Sequence, residues 1–204
     1  MKNTISLLIF FTCSMVFAQN ETFVSKDISV SPFIDGTIMT PDSEEKLPLV
    51  IIIAGSGPTD RNGNQMMMKN NSLKYLAEGL YKEGIASFRY DKRIVKQMKE
   101  RNVNEEGISF EDFIKDARDV VSYFERADAF SKIIVLGHSQ GATIGLVAAQ
   151  EFADGYISVA GPGRSIDDVI VDQLSQQAPG LQENARTSFD DLRVNGVAAN
   201  YNAG

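Results

Sequence analysis

Lys132-Ile133-Ile134-Val135-Leu136-Gly137-His138-Ser139-Gln140-Gly141 is the stretch that decides the fold. Residues 133–136 are four consecutive apolar side chains and read as a buried strand. They run directly into Gly137-His138-Ser139-Gln140-Gly141, and residues 142–152 then read as a helix. Strand, sharp turn and helix is the setting in which a G-x-S-x-G nucleophile elbow presents its serine. The spacing is a steric requirement. Ser139 must take a strained backbone angle at the tip, and only residues without a Cβ fit two places before and after it, where strand and helix nearly touch. Gly145 and Ala148 keep the helix slim against the sheet. The bland alternative is an ordinary glycine-rich turn, which does not call for the strand and helix found on either side of this one.

Upstream, residues 49–54 are apolar on both faces, as a central strand covered by helices must be. That strand empties into Gly55-Ser56-Gly57-Pro58-Thr59-Asp60-Arg61-Asn62-Gly63-Asn64. The loop is not a phosphate loop, because no Gly-Lys-Ser/Thr ends it. Nor is it a dinucleotide fingerprint, because Asp60 stands where the third glycine belongs. Two readings remain: an ordinary turn with Asp60 and Arg61 paired to each other, or an oxyanion loop whose glycines let a backbone N–H approach a reacting carbonyl. Preorganised donors of the second kind stabilise a tetrahedral intermediate by about 3–4 kcal/mol each.

The remaining segments supply a framework. Residues 21–30 and 31–39 alternate loosely, with Ile34-Asp35-Gly36-Thr37 as a turn or bulge, and predict an antiparallel pair at a sheet edge. Residues 72–83 repeat Leu73, Leu76, Ala77 and Leu80 on one face, a helix with Ser72 as its predicted cap. Residues 85–90 form the next strand and end in Asp91-Lys92-Arg93. Residues 92–104 are mostly polar and read as an exposed excursion with solvated charges. Ser109-Phe110-Glu111-Asp112 is a capping box, followed at helical spacing by Phe113, Ile114, Ala117, Val120, Val121 and Phe124, which with Phe110 read as core. Residues 153–160 give one more strand, closed by Gly161-Pro162-Gly163. Strands alternating with helices at this interval predict an α/β fold, a mostly parallel sheet with flanking helices.

Composition narrows the function classes. A chain of 204 residues with 43% hydrophobic content is one globular domain. Residues 1–18 stand apart: Lys2, an almost wholly apolar run over 5–17, and Val16 and Ala18 at the two cleavage positions predict a secretory signal peptide. The run is too short for a membrane anchor, and Phe10-Phe11-Thr12 before Cys13 are too bulky for lipid modification. The protein is therefore expected to be secreted or periplasmic, with no membrane contact after cleavage. Its mature chain then contains no cysteine, which excludes disulfides and thiolate metal sites. With a single histidine as well, neither a metal nor a cofactor is expected. Loss of Lys2 takes the net charge from −7 to −8, an acidic balance that argues against nucleic acid.

The strand order, the Gly55–Arg61 loop, the Tyr90-Asp91-Lys92-Arg93 turn and Gly-His-Ser-Gln-Gly together resemble an α/β-hydrolase. The branch they look like is that of secreted bacterial serine aminopeptidase-like hydrolases or esterases, to which residues 160–168 are also similar. The resemblance implies Ser139 as nucleophile and the backbone N–H groups of Ser56 and Gln140 as the oxyanion hole. It implies a substrate, small molecule or peptide, with an acyl bond, and does not choose between ester and amide. It also divides the chain into a leader (1–18), the first part of a hydrolase core (19–164) and the beginning of a helical cap (165–204). Ile166, Val169, Ile170 and Leu174 form an apolar stripe that faces the cleft on this reading, or packs on the sheet on the plainer one.

One departure from the family is severe. A serine hydroxyl needs a base, and the family order is serine, acid, then histidine. The single histidine is His138, the elbow neighbour of Ser139, expected to be a partly buried structural residue. Asp154, Asp167, Asp168 and Asp172 follow Ser139 without a histidine to pair with, and Asp168 is better explained as the far member of a capping box with Ser165. The expectation is a fold incomplete at its C-terminal end. Loss of the histidine alone costs about a millionfold in turnover, roughly 8 kcal/mol, so these 204 residues are expected to be nearly inert. A non-catalytic relative that binds ligand without turning it over, or a secreted interaction protein, are the alternatives.

Overall fold

A computed structural model describes residues 22–104 and 107–199. The predicted signal peptide, including Cys13, lies outside the described residues, as does the end of the predicted cap segment. Six strands form one sheet in the order β1-β2-β4-β3-β5-β6. They are β1 (Ser25–Ser31), β2 (Ile34–Met39), β3 (Pro48–Ile53), β4 (Ala86–Tyr90), β5 (Lys132–His138) and β6 (Gly155–Val159). The last four run parallel, while β1 and β2 pair antiparallel with each other and β2 antiparallel with β4. This is the mostly parallel α/β sheet that the alternating pattern predicts.

The alternation of β3 shows how the layers are held. Leu49, Ile51 and Ile53 join a core that includes Val120, Val121 and Phe124 of α3 (Phe110–Ala127) and Ile144 and Ala148 of α4 (Gln140–Phe152). Val50 and Ile52 point the other way, to Leu73 and Ala77 of α1 (Ser72–Lys82). Each such side chain, fully buried, contributes about 1.5–3 kcal/mol. β5 lies between β3 and the edge strand β6, and so delivers its C-terminal end to the same rim of the sheet as β3 and β4.

Several local expectations are corrected. Ile34–Thr37 is not a turn: the chain reverses at Pro32-Phe33, and Ile34 is a fully buried strand residue. Gly36 is a strand glycine because Phe88 crosses it, with a Cβ there only 2.2 Å from the Phe88 ring. The irregularity of the pair falls at Ser29/Ser31 instead. Ser72 does not cap α1. Asn71 precedes the helix in a left-handed conformation, and the Leu73 and Lys74 N–H groups donate to the Asn62 carbonyl. Phe110 is partly exposed at the start of α3, whereas Phe113 and Ile114 pack against the core. The Ser109–Asp112 capping box is present in both directions.

The largest correction concerns residues 92–104. Arg93–Lys99 is a helix, α2, and Lys92, Arg93 and Val95 are buried. Arg93 is held by Asp116 at 2.7 and 2.8 Å and by Asp112 at 2.8 Å, both on α3. Partners some twenty residues away turn what reads locally as a solvated face into an internal one.

After β6 come α5 (Ile166–Gln177), a single 3-10 turn (Pro179–Leu181) and α6 (Gln182–Asn195). α5 packs chiefly on α6 and on that turn. Its buried apolar residue is Val171, while Ile166 is exposed, so the predicted stripe does not form the helix's main contact. β6 is the outer strand of the sheet, with Ile157 and Val159 exposed. Among the described residues no helix is long and apolar enough to cross a membrane.

Candidate active site

Ser139 stands between the end of β5 and the first turn of α4 with φ 53° and ψ −120°. That conformation is strained for a residue carrying a Cβ, by about 1–3 kcal/mol. The flanking glycines permit it. A Cβ on Gly137 would lie 2.1 Å from the Gly141 carbonyl oxygen, and one on Gly141 2.4 Å from that of Ile53. The turn is fastened by its own backbone: Ser139 N–H donates to Val159 O, and Ala142 N–H to Ser139 O, both at 2.9 Å.

The half-buried Ser139 faces the loop after β3. A Cβ on Gly55 would sit 3.4 Å from Ser139 Cβ and 3.0 Å from His138 Nδ1. Gly55, Ser56, Thr59, Gln65, His138 and Ser139 line a depression of about 150 Å³. A neighbouring one of about 270 Å³ takes the next residues of the same two segments, Gly57, Pro58 and Gln140, together with Lys92, Ile108 and Phe113. The predicted trio of Ser139, Ser56 and Gln140 is thus brought to one place. Among the described residues, neither the Ser56 nor the Gln140 N–H donates to another group.

The loop that carries Ser56 is fixed from several directions. Ser56 O accepts from Thr59 Oγ1 and Gln65 Nε2, both at 3.0 Å. Asp60 does not pair with Arg61, which corrects the turn reading; its carboxylate accepts the N–H groups of Asn62 and Asn64 at 2.8 Å each. Arg61 reaches instead to Asp91 at the end of β4, with a backbone bond of 2.8 Å and a guanidinium bond of 2.9 Å. Lys99 donates to the same carboxylate at 2.7 Å. Burial alone would push the Asp91 carboxyl up, but the hydrogen bonds from Arg61 and Lys99 outweigh it and hold it below the usual carboxylate range.

His138 is exposed rather than partly buried; it shares the depression, and no hydrogen bond joins it to Ser139. None of the later aspartates lines the depression. Asp154 accepts from Ile133 N at the opposite end of β5. Asp172 pairs with Arg164, and Asp167 with Arg193 and Arg186. Asp168 takes the Ser165 hydroxyl at 3.0 Å and Arg186 at 2.8 Å, a side-chain pairing in place of the two backbone bonds of the predicted capping box. Among the described residues no cluster of three potential metal ligands occurs. In the sequence Gln65 carries no signal, and Asp91 and Lys92 stand out only as part of the Tyr90–Arg93 turn, with no site role assigned to either. A signal existed for those two: they close a buried strand at the same rim as the elbow.

The architecture is that of the α/β-hydrolases. A thermostable carboxyl esterase from Bacillus coagulans superposes with a TM-score of 0.56 at 16% identity, over 84% of this chain and 55% of that one. A dienelactone hydrolase from Anabaena variabilis does so at 0.51 and 20% identity, over 76% and 68%. In sequence, the chain is 32% identical over 179 residues to the esterase EstD of Thermotoga maritima. That match takes in 86% of this chain but 42% of the relative, so the chain spans less than half the length of the curated protein it matches. No family model matches.

Proposed function

We propose that the chain carries the nucleophile and oxyanion hole of a serine hydrolase acting on carboxylic esters or amides. In this reading Ser139 Oγ attacks the substrate carbonyl, and the Ser56 and Gln140 N–H groups receive the negative oxygen of the tetrahedral intermediate. Collapse expels the alcohol or amine and leaves an acyl group on Ser139, which water then removes. The observation that carries the reading is the positive φ of Ser139 at the C-terminal end of β5, with two unengaged amides beside it. Fold and the similarity to a protein named as an esterase support it, and favour esters over peptides. The depression of about 150 Å³ fits the reacting group of a substrate rather than a whole drug-sized molecule.

Among the described residues no base is bonded to Ser139: His138 makes no hydrogen bond to it, and Asp154, Asp167, Asp168 and Asp172 are engaged elsewhere. We assign the proton acceptor to a group outside this sequence, and the α5–α6 pair to the first part of a lid over the site. The single histidine also favours the second reading, a pocket that binds an acyl compound without cleaving it.

Supplying the missing base from solution separates the two. The chain alone is expected to cleave p-nitrophenyl acetate at close to the background rate. With imidazole added, the peptide containing Ser139 should gain one acetyl group by mass spectrometry, and Ser139→Ala should gain none. Absence of any acyl-Ser139 at saturating imidazole would leave only the binding reading.

A further inference from the structure

We infer that Lys92 is the positioning residue of the oxyanion hole: its ammonium clamps the Gly55 carbonyl and the Gln140 side chain, and so aims the Ser56 and Gln140 N–H groups. The inference rests on the serine-hydrolase reading and adds to it the group that sets donor direction. It begins with topology. β3 and β4 are parallel neighbours, Ile52 opposite Arg89, so the chain leaving β4 passes the start of the loop leaving β3. Lys92 lies at that crossing with 5% of its surface exposed. Its Nζ donates to Gly55 O and to Gln140 Oε1, each at 2.7 Å, and sits 4.8 Å from the centre of the Phe113 ring.

The first bond has a directional consequence. Gly55 O and the Ser56 N–H belong to one planar trans peptide, in which the two groups point opposite ways. Holding the oxygen on the Lys92 side therefore turns the N–H away from it. The next peptide is held too, through Ser56 O, so both planes flanking Ser56 are fixed. A positive charge on the carbonyl oxygen also polarises the peptide and makes its N–H a stronger donor. The second bond draws the side chain of Gln140, whose own N–H is the other donor, toward the same ammonium.

The chemistry of the clamp is unusual for a purely structural tie. Both acceptors are uncharged, and a buried ammonium ordinarily finds a carboxylate. Among the described residues, carboxylates of the adjoining segments are committed to other cations: Asp91 to Arg61 and Lys99, Asp112 and Asp116 to Arg93, and Asp35 to Lys96. His138 lies against Gly55 and is a further titratable neighbour of the clamp. Burial lowers the Lys92 ammonium to about 8, which places its titration within reach of solution measurement.

The test is amide NMR on the nitrogen-15-labelled 204-residue chain from neutral to alkaline pH. In the wild type the Ser56 and Gln140 amide resonances should move together with a midpoint of about 8. In Lys92→Met that titration should vanish and both resonances should be displaced at every pH, while those of β1 stay in place. Amides of Ser56 and Gln140 that ignore the wild-type titration overturn the clamp, and this result does not depend on the variant folding. So does a Lys92→Met protein with a shifted thermal midpoint but unmoved amides, the outcome of a packing role alone. The imidazole-dependent acylation of Ser139 reads the hydrolase assignment separately. Acyl-Ser139 with silent amides overturns the clamp alone; responding amides without acylation keep the clamp and overturn the hydrolase.

Discussion

Two regions follow the C-terminal ends of parallel strands, and charged side chains hold both of them, yet they are held to different things. The loop after β3 is fastened through Arg61 to Asp91 of the strand-end next door, and through Gly55 to Lys92, groups with almost no exposed surface. The helices after β6 are fastened through Arg186 to Asp168, Arg193 to Asp167 and Arg164 to Asp172, all within residues 164–193 and mostly at the surface. A buried charge is costly unless paired, so each pair in the first region fixes two distant elements in one arrangement. A surface pair is worth little and fixes only its own neighbourhood. The region bearing Ser56 is thereby built into the sheet, and the α5–α6 pair is built onto itself.

Breaking the first region at its root should have the largest effect. Gly141→Val drives a Cβ into the carbonyls of Ile53 and Ala54, from which the loop departs, and is expected to cost more than about 4 kcal/mol in urea unfolding. Next is Asp91→Asn, which removes the buried carboxylate from between Arg61 and Lys99, leaves the half-buried Arg61 guanidinium with Asp27 as its ion-pair partner, and should cost about 1–3 kcal/mol. The same substitution carries a pH signature. Because the folded Asp91 carboxyl is held below its ordinary value, its contribution is present above that value and is lost as pH falls through the folded one. The acid limb of the stability curve should flatten in Asp91→Asn.

Lys92 sharpens the comparison from the opposite sign. Its ammonium is lowered from 10.5 to about 8, so between those values the unfolded chain binds a proton that the folded chain does not. Stability should therefore rise with pH across that window, by on the order of 3 kcal/mol from this group, and Lys92→Met should remove the rise. The smallest effect belongs to the other region: Arg164→Ala breaks an exposed pair with Asp172 and should leave the thermal midpoint unmoved within error. A large loss there would show that α5 is held more firmly than its surface pairs suggest.

What was legible in the sequence had its signal within a few residues. The elbow, the continuous apolar run of β3 and the Ser109–Asp112 box each depend on neighbours in the chain, and each took its expected form. Lys92 was read as solvated because its acceptors lie 37 and 48 residues away, a separation at which no local pattern operates. Arg93, 23 residues from Asp116, was misread for the same reason. Gly36 suggested a turn because a missing side chain says only that room is needed, and here the room is for Phe88. Ser165 shows the reverse case, where a local motif is present but its carboxylate is held by the Ser165 hydroxyl and by Arg186 of another helix, not by the backbone N–H of a cap.

The backbone angles of residue 139 are ones that glycine adopts freely, whereas any side chain there works against them. Replacing the serine by glycine should accordingly relax the turn and raise the melting temperature while deleting the hydroxyl. A sequence that keeps an oxygen-bearing carbon at such a point carries a conformational burden that glycine would spare it.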